Sequence, residues 1–286
     1  MVRNDPGIDE QENVKISGPV RGFFISGWNN LVRLMAANTL FVIFNIPSSA
    51  IAFVISFVFV PVYMPLFIDM GPYQELNSGS EAVLELFILL MIFMVNMLLS
   101  STLICTGPFQ AGFTEVYKDI RNNTSVSFFT SFKAGLKNNW KKGLASMLIS
   151  FAVTPVLLLA ISFYLNMKTS LGTVTGVFFI VLLLAFILIQ NFVYSLIVST
   201  DLKLGKIYKN AVLFIFLRFV PCLGAALAVL LVYFVIPFIL LASASYVTLG
   251  IFMFLYSFVA VSWTQYFLAC FTGSLIDRYV KSDAEE

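Results

Sequence analysis

Histidine is missing from the chain altogether. Its absence removes the commonest metal ligand, the usual general base and the only side chain that titrates near neutral pH unaided. An ordinary Ser-His-Asp triad is impossible without it. Charge is nearly as scarce: 11% of residues, where a soluble domain carries about a quarter. Cysteine occurs three times, as Cys105, Cys222 and Cys270, each inside or at the edge of an apolar run. That spacing fits neither a zinc site nor a disulfide framework, and buried free thiols behave as small hydrophobes. There is no Gly-rich loop ending in Lys-Ser or Lys-Thr, no dinucleotide fingerprint and no Gly-x-Ser-x-Gly. Carboxylates pair up only at the two ends, in Asp9-Glu10-Glu12 and Asp283-Glu285-Glu286. The expectation is a chain that is not an enzyme and carries no cofactor.

What the chain has in abundance is apolar surface. Hydrophobic residues make up 59% of its 286 positions, and its mean hydropathy is +0.93. A helix needs about 20 apolar residues to cross the roughly 30 Å hydrocarbon core of a bilayer. Six stretches qualify, at about 35–66, 83–105, 144–165, 174–200, 220–241 and 247–273. The polar first 20 residues and the length of the first run argue against a cleaved signal peptide.

The net charge of +2 gives no argument for nucleic acid, but its distribution is informative. Sixteen of the 17 Lys and Arg residues lie in the two termini and the second and fourth gaps between runs. The first and fifth gaps have none, and the third has Lys168 alone. Basic residues are retained on the cytoplasmic side as spans insert. The expected fold is therefore all-α: six transmembrane helices forming three outward hairpins in a plasma membrane, both termini cytoplasmic. Residues 1–20 read as a disordered arm, 21–280 as one transmembrane domain and 281–286 as a tail.

The cytoplasmic gaps have their own pattern. Over residues 109–120 and 126–140, apolar side chains recur at helical spacing between basic and polar ones, as they do over 22–34 and 207–219. Such helices lie in the interface with lysines toward anionic headgroups. A weak repeat accompanies them: Phe23-Phe24-Ile25-Ser26, Asn29-Asn30 and Ile46-Pro47 echo Phe128-Phe129-Thr130-Ser131, Asn138-Asn139 and Thr154-Pro155.

Ionisable or amide groups at bilayer depth are candidates for function. Glu85 lies one turn inside the second run, where it either serves a solute or meets the positive end of its own helix. Asn45, Asn96, Gln190, Asn191 and Gln265 lie within runs, and each either lines a solute path or hydrogen-bonds a neighbouring helix. Asp201, beside Lys203 and Lys206, either pairs with these lysines or caps the following helix, and capping is its expected role. Pro47, Pro155, Pro221 with Gly224, and Pro237 interrupt runs; such breaks either expose backbone dipoles to a substrate or, as expected here, are kinks absorbed by neighbours.

One stretch is distinctive: Thr106-Gly107-Pro108-Phe109-Gln110-Ala111-Gly112-Phe113-Thr114-Glu115-Val116-Tyr117, followed by Phe128, Phe132-Lys133 and Lys137-Asn138-Asn139-Trp140-Lys141-Lys142. Gly107-Pro108 terminates a span, Ala111 and Gly112 permit close helix packing, and Trp140 suits an interface. This segment resembles the YesL family of bacterial integral membrane proteins, and Asn30-Leu31-Val32-Arg33-Leu34 is similar to that family's opening helix. The resemblance implies a bacterial membrane protein without an assigned activity, associated with carbohydrate-uptake and polysaccharide-degradation systems. Subunits of an ABC transporter would then be its partners, with Gly107, Pro108, Phe109, Ala111, Gly112, Phe113, Phe132, Lys133, Asn139, Trp140 and Lys141 forming the docking surface. The stretch at about 69–80 is longer than in many relatives.

Overall fold

A computed structural model describes residues 19–68, 81–104, 106–124, 126–167, 169–242 and 245–279. The N-terminal arm, the long loop at 69–80, Cys105, Lys168 and the C-terminal tail lie outside these residues, so the expectations placed on them are not addressed. Among the described residues there are twelve α-helices and no strand. They are α1 (Pro19–Asn29), α2 (Leu31–Phe44), α3 (Ile46–Ile68), α4 (Glu81–Leu98), α5 (Gly107–Arg121), α6 (Phe128–Asn166), α7 (Ser170–Ser199), α8 (Leu204–Leu217), α9 (Phe219–Leu230), α10 (Ile236–Ala242), α11 (Tyr246–Phe258) and α12 (Ala260–Tyr279). Five-residue π turns extend α4 (Leu99–Leu103) and join α9 to α10 (Leu231–Val235).

Four segments are long and apolar enough to cross a membrane: Ile46–Tyr63, α6, α7 and Phe219–Ala242. Two bent pairs raise the number to six if each counts as one crossing. Phe87–Leu103 meets α5 at 74°, and α11 meets α12 at 47°. Large apolar side chains on these helices face outward, among them Phe53, Val54, Phe57, Leu159, Phe163, Val174, Phe178, Leu227 and Met253. Outward-facing apolar rows of this extent fit lipid better than water.

Four features differ from the sequence expectation. Residues 126–140 and 144–165 form not an interfacial helix plus a span but the single helix α6. Between Lys141 and Leu144 only Gly143 weakens the helix, and one glycine costs too little to break it. At 1.5 Å per residue α6 is about 58 Å long, nearly twice the hydrocarbon thickness, so its first half extends well past that layer. The first expected span breaks at Asn45, between α2 and α3, and the sixth breaks at Val259. Asp201 is not the cap of α8: the N-cap position is Lys203, without a side-chain hydrogen bond.

The segment expected to lie flat on the membrane is instead among the most enclosed. In α5, Ala111, Phe113, Val116, Tyr117 and Ile120 are buried. Glycine makes this possible. A Cβ on Gly107 would lie 2.3 Å from the Gly143 carbonyl oxygen, and one on Gly143 would lie 2.7 Å from that of Gly107. Gly135 packs as closely on Glu115 and the Ala111 carbonyl, and Gly112 packs on Phe132. The first half of α6 thus lies against α5 at backbone contact. Phe44, Phe109 and Phe132 stack beside this seam, with Phe113 against them at 4.9 Å from the Phe132 ring.

Basic residues from distant segments meet at one end of the bundle. Arg33 donates to the Thr124 and Val126 carbonyls at 3.3 and 2.7 Å. Lys118 pairs with Glu115 at 3.1 Å and donates to the Val198 carbonyl at the end of α7. Arg121 pairs with Asp277, and Arg218 donates to the Tyr279 hydroxyl at 3.0 Å. Helices α2 and α12 and the segments around 120, 200 and 218 therefore share one face.

Candidate functional site

Hydrophobic helices cannot leave broken backbone unpaired in lipid. Two of the breaks in this bundle are served by buried amides. At the bend between α11 and α12, Asn38 donates from Nδ2 to the Tyr256 carbonyl at 2.9 Å and accepts from the Ser262 N–H at 2.8 Å. At the end of α4, Asn45 donates to the Ser100 carbonyl and Gln265 to the Ser101 carbonyl, each at 3.0 Å. Asn96 donates to the Ser49 hydroxyl at 3.3 Å, tying α4 to α3. Gln190 donates to the Tyr208 hydroxyl at 2.9 Å while Ser146 reaches both, joining α6, α7 and α8.

Several of these amides face one small cavity at the break between α4 and α5. It is lined by Ser101 and Thr102 from the π turn, Gln110 and Thr114 from α5, Gln190, Asn191, Tyr194 and Ser195 from α7, and Gln265 with Leu268 from α12. It has room for about one water. A hydrogen-bond chain runs along its wall. Gln110 donates to Gln265 Oε1 at 3.1 Å, and Gln265 in turn donates to the Ser101 carbonyl. The cavity therefore holds polar groups from four helices at the crossing point of α4, α5, α7 and α12.

The expected polar set is split by the fold. Gln190 and Asn191 line the cavity; Asn45 and Asn96 lie nearby between α2, α3 and α4 but outside its lining; Glu85 is exposed, early in α4. Of the motif residues, Gly107, Ala111, Gly112 and Phe113 are buried in the α5–α6 seam, Pro108 occupies the second position of α5, and Phe109 and Phe132 stack within the aromatic group. Lys133, Trp140 and Lys141 are exposed, and Asn139 is partly so. Residues not singled out in the sequence are Asn38, Tyr208 and Gln110 as a cavity residue. Gln110, Thr114 and Tyr117 recur at helical spacing, a polar row that marks an inward face. Asn38, seven residues before Asn45, is the same signal on α2.

Among the described residues, no group of three His, Cys, Asp or Glu side chains is arranged to hold a metal ion. Comparison with protein-family models, with curated proteins and with solved structures finds no match to the chain.

Proposed function

We propose that the chain is a non-enzymatic bacterial plasma-membrane protein of six crossings in three hairpins, with its basic end and both termini in the cytoplasm. Its role in this reading is auxiliary: a component of a carbohydrate uptake or utilisation system that docks to subunits of an ABC permease. The family resemblance supplies the biological setting. One structural observation supports the docking surface. Along the first half of α6, Lys133, Lys137 and Lys141 recur every fourth residue on an exposed face, flanked by Phe129 at 69% and Trp140 at 49% exposure. This row is held rigid by the glycine seam behind it, and it combines cations for anionic headgroups with aromatic anchors for a partner. Phe109 and Phe113 are turned inward, so the partner meets Phe129 and Trp140 instead.

Truncating such anchors in a protein interface weakens binding by tenfold or more. In cells crosslinked gently and solubilised, the wild-type chain should co-purify with permease subunits. Phe129→Ala with Trp140→Ala should reduce that recovery at least tenfold while leaving the amount of folded protein unchanged. Recovery of the wild-type chain alone would remove the docking role.

A second reading, a solute path through the bundle, is favoured by the convergence of Gln110, Gln190, Asn191 and Gln265 on one cavity. It predicts uptake into reconstituted vesicles that Asn191→Ala abolishes. Uptake no greater than that of empty vesicles, across a panel of sugars and ions, would end it.

A further inference from the structure

We propose that the cavity at the break between α4 and α5 binds a monovalent cation of sodium's size. The argument begins with which atoms face the space. The Ser101 carbonyl can only accept, so the Gln265 amide must present Nε2 to it, which leaves Gln265 Oε1 toward Gln110. Gln110 must therefore donate from Nε2 to that oxygen. Its own Oε1 is left without a partner on a side chain only 4% exposed. An orphaned acceptor at this depth is costly and is expected to have a ligand.

Two of the neighbouring hydroxyls offer only acceptors as well. The Thr102 hydroxyl spends its hydrogen on the Leu98 carbonyl at 2.6 Å, and that of Thr114 on the Gln110 carbonyl at 2.7 Å. Both oxygens present lone pairs to the cavity. Asn191 Nδ2 is also buried without a partner; turning that amide about its last bond places Oδ1 there instead. The π turn ends beside the same space, and the end of a helix carries partial negative charge. Broken helices in membranes hold sodium by such oxygens and helix ends.

Size and charge narrow the guest. A cavity with room for about one water excludes a sugar or an amino acid. None of the lining residues is a carboxylate, which disfavours calcium and magnesium. This site predicts an ion bound rather than an ion moved, so it stands or falls independently of the docking and transport readings.

The test uses the full chain in nanodiscs of uncharged lipid, with thermal unfolding followed in sodium, potassium and choline chloride at equal ionic strength. Saturating sodium should raise the midpoint by about 5 °C over choline, in a concentration-dependent manner, with a smaller rise in potassium. Thr102→Val with Thr114→Val keeps the shape but removes two lone-pair donors, and should abolish the sodium increment. Asn191→Asp breaks no hydrogen bond of the unpartnered Nδ2 and adds a formal charge to the lining; it should lower the half-saturating sodium concentration at least tenfold. Equal midpoints in sodium and choline would overturn the proposal and leave a cavity for water only. So would an increment that survives in the double variant. Should that variant not fold, an unchanged half-saturation in Asn191→Asp overturns it equally.

Discussion

Gly143→Ala is expected to destabilise the protein by about 3 kcal/mol, at the upper end of what overpacking a core costs. A Cβ there would lie 2.7 Å from the Gly107 carbonyl oxygen and 3.2 Å from Pro108 Cα. Both neighbours are backbone, so no side chain can rotate away; α5 and α6 must separate along the whole seam. Gly107→Ala should behave alike, since its Cβ would lie 2.3 Å from the Gly143 carbonyl. The same chemical change elsewhere should act in the opposite direction. Added Cβ atoms at Gly224 in α9 and Gly250 in α11 meet nothing within 4 Å. There the better helix propensity of alanine, about 1 kcal/mol, is unopposed, and the variants should be neutral or more stable. Unfolding in mixed detergent micelles compares the four variants directly. Four similar losses would mean that glycine matters for backbone freedom in general, not for this contact.

The second large effect is expected at Asn38. Its side chain is fully buried and replaces two helix hydrogen bonds missing where α11 bends into α12. At Val259 the backbone leaves helical geometry, with φ −130° and ψ −56°. Asn38→Leu fills similar volume yet leaves the Tyr256 carbonyl and the Ser262 N–H without their partner. Each orphaned group costs about 1–3 kcal/mol, so the variant should lose roughly 3 kcal/mol or more. Asn38→Asp should not rescue it. The carboxylate still accepts from Ser262, but it offers the Tyr256 carbonyl nothing when ionised and buries a charge. The Tyr117 hydroxyl, 3.0 Å from Ser262 Oγ, sits beside the same bend and should become more accessible in both variants. If Asn38→Leu unfolds like the wild-type protein, the bend is held by packing alone.

The sequence conveys some of this architecture better than the rest. Apolar runs of spanning length and the alternation of cations are written in composition, and the contacts of Arg33, Lys118, Arg121 and Arg218 bring those segments to one face. Periodicity also identifies α5 as two-faced. It does not say what covers the apolar face: a lipid surface and the glycine side of α6 produce the same pattern over residues 109–120. The spacing of Gly107, Gly112, Gly135 and Gly143 carries the distinction, because small residues in register mark helices in contact. Helix breaks at Asn45 and Val259 are harder to read. The first lies two residues before Pro47, whose missing N–H weakens the helix there, whereas the Val259 bend involves no proline or glycine and is stabilised by Asn38, far along the chain. The cavity is legible only in part for the same reason. Gln190 and Asn191 stand out within an apolar run, whereas Gln110 acquires its significance from Gln265, 155 residues away.

Six crossings that gather the basic residues on the cytoplasmic face, as we propose, are read out by site-directed thiol labelling. In a background with Cys105, Cys222 and Cys270 replaced by serine, single cysteines go in at Thr169 or Tyr246 and at Lys137 or Lys206. Intact cells treated with a membrane-impermeant maleimide should label the first two positions and leave the second two unmodified until the cells are opened. Labelling of Lys137→Cys and Lys206→Cys from outside, with the other two silent, would contradict the orientation and remove the cytoplasmic docking surface with it.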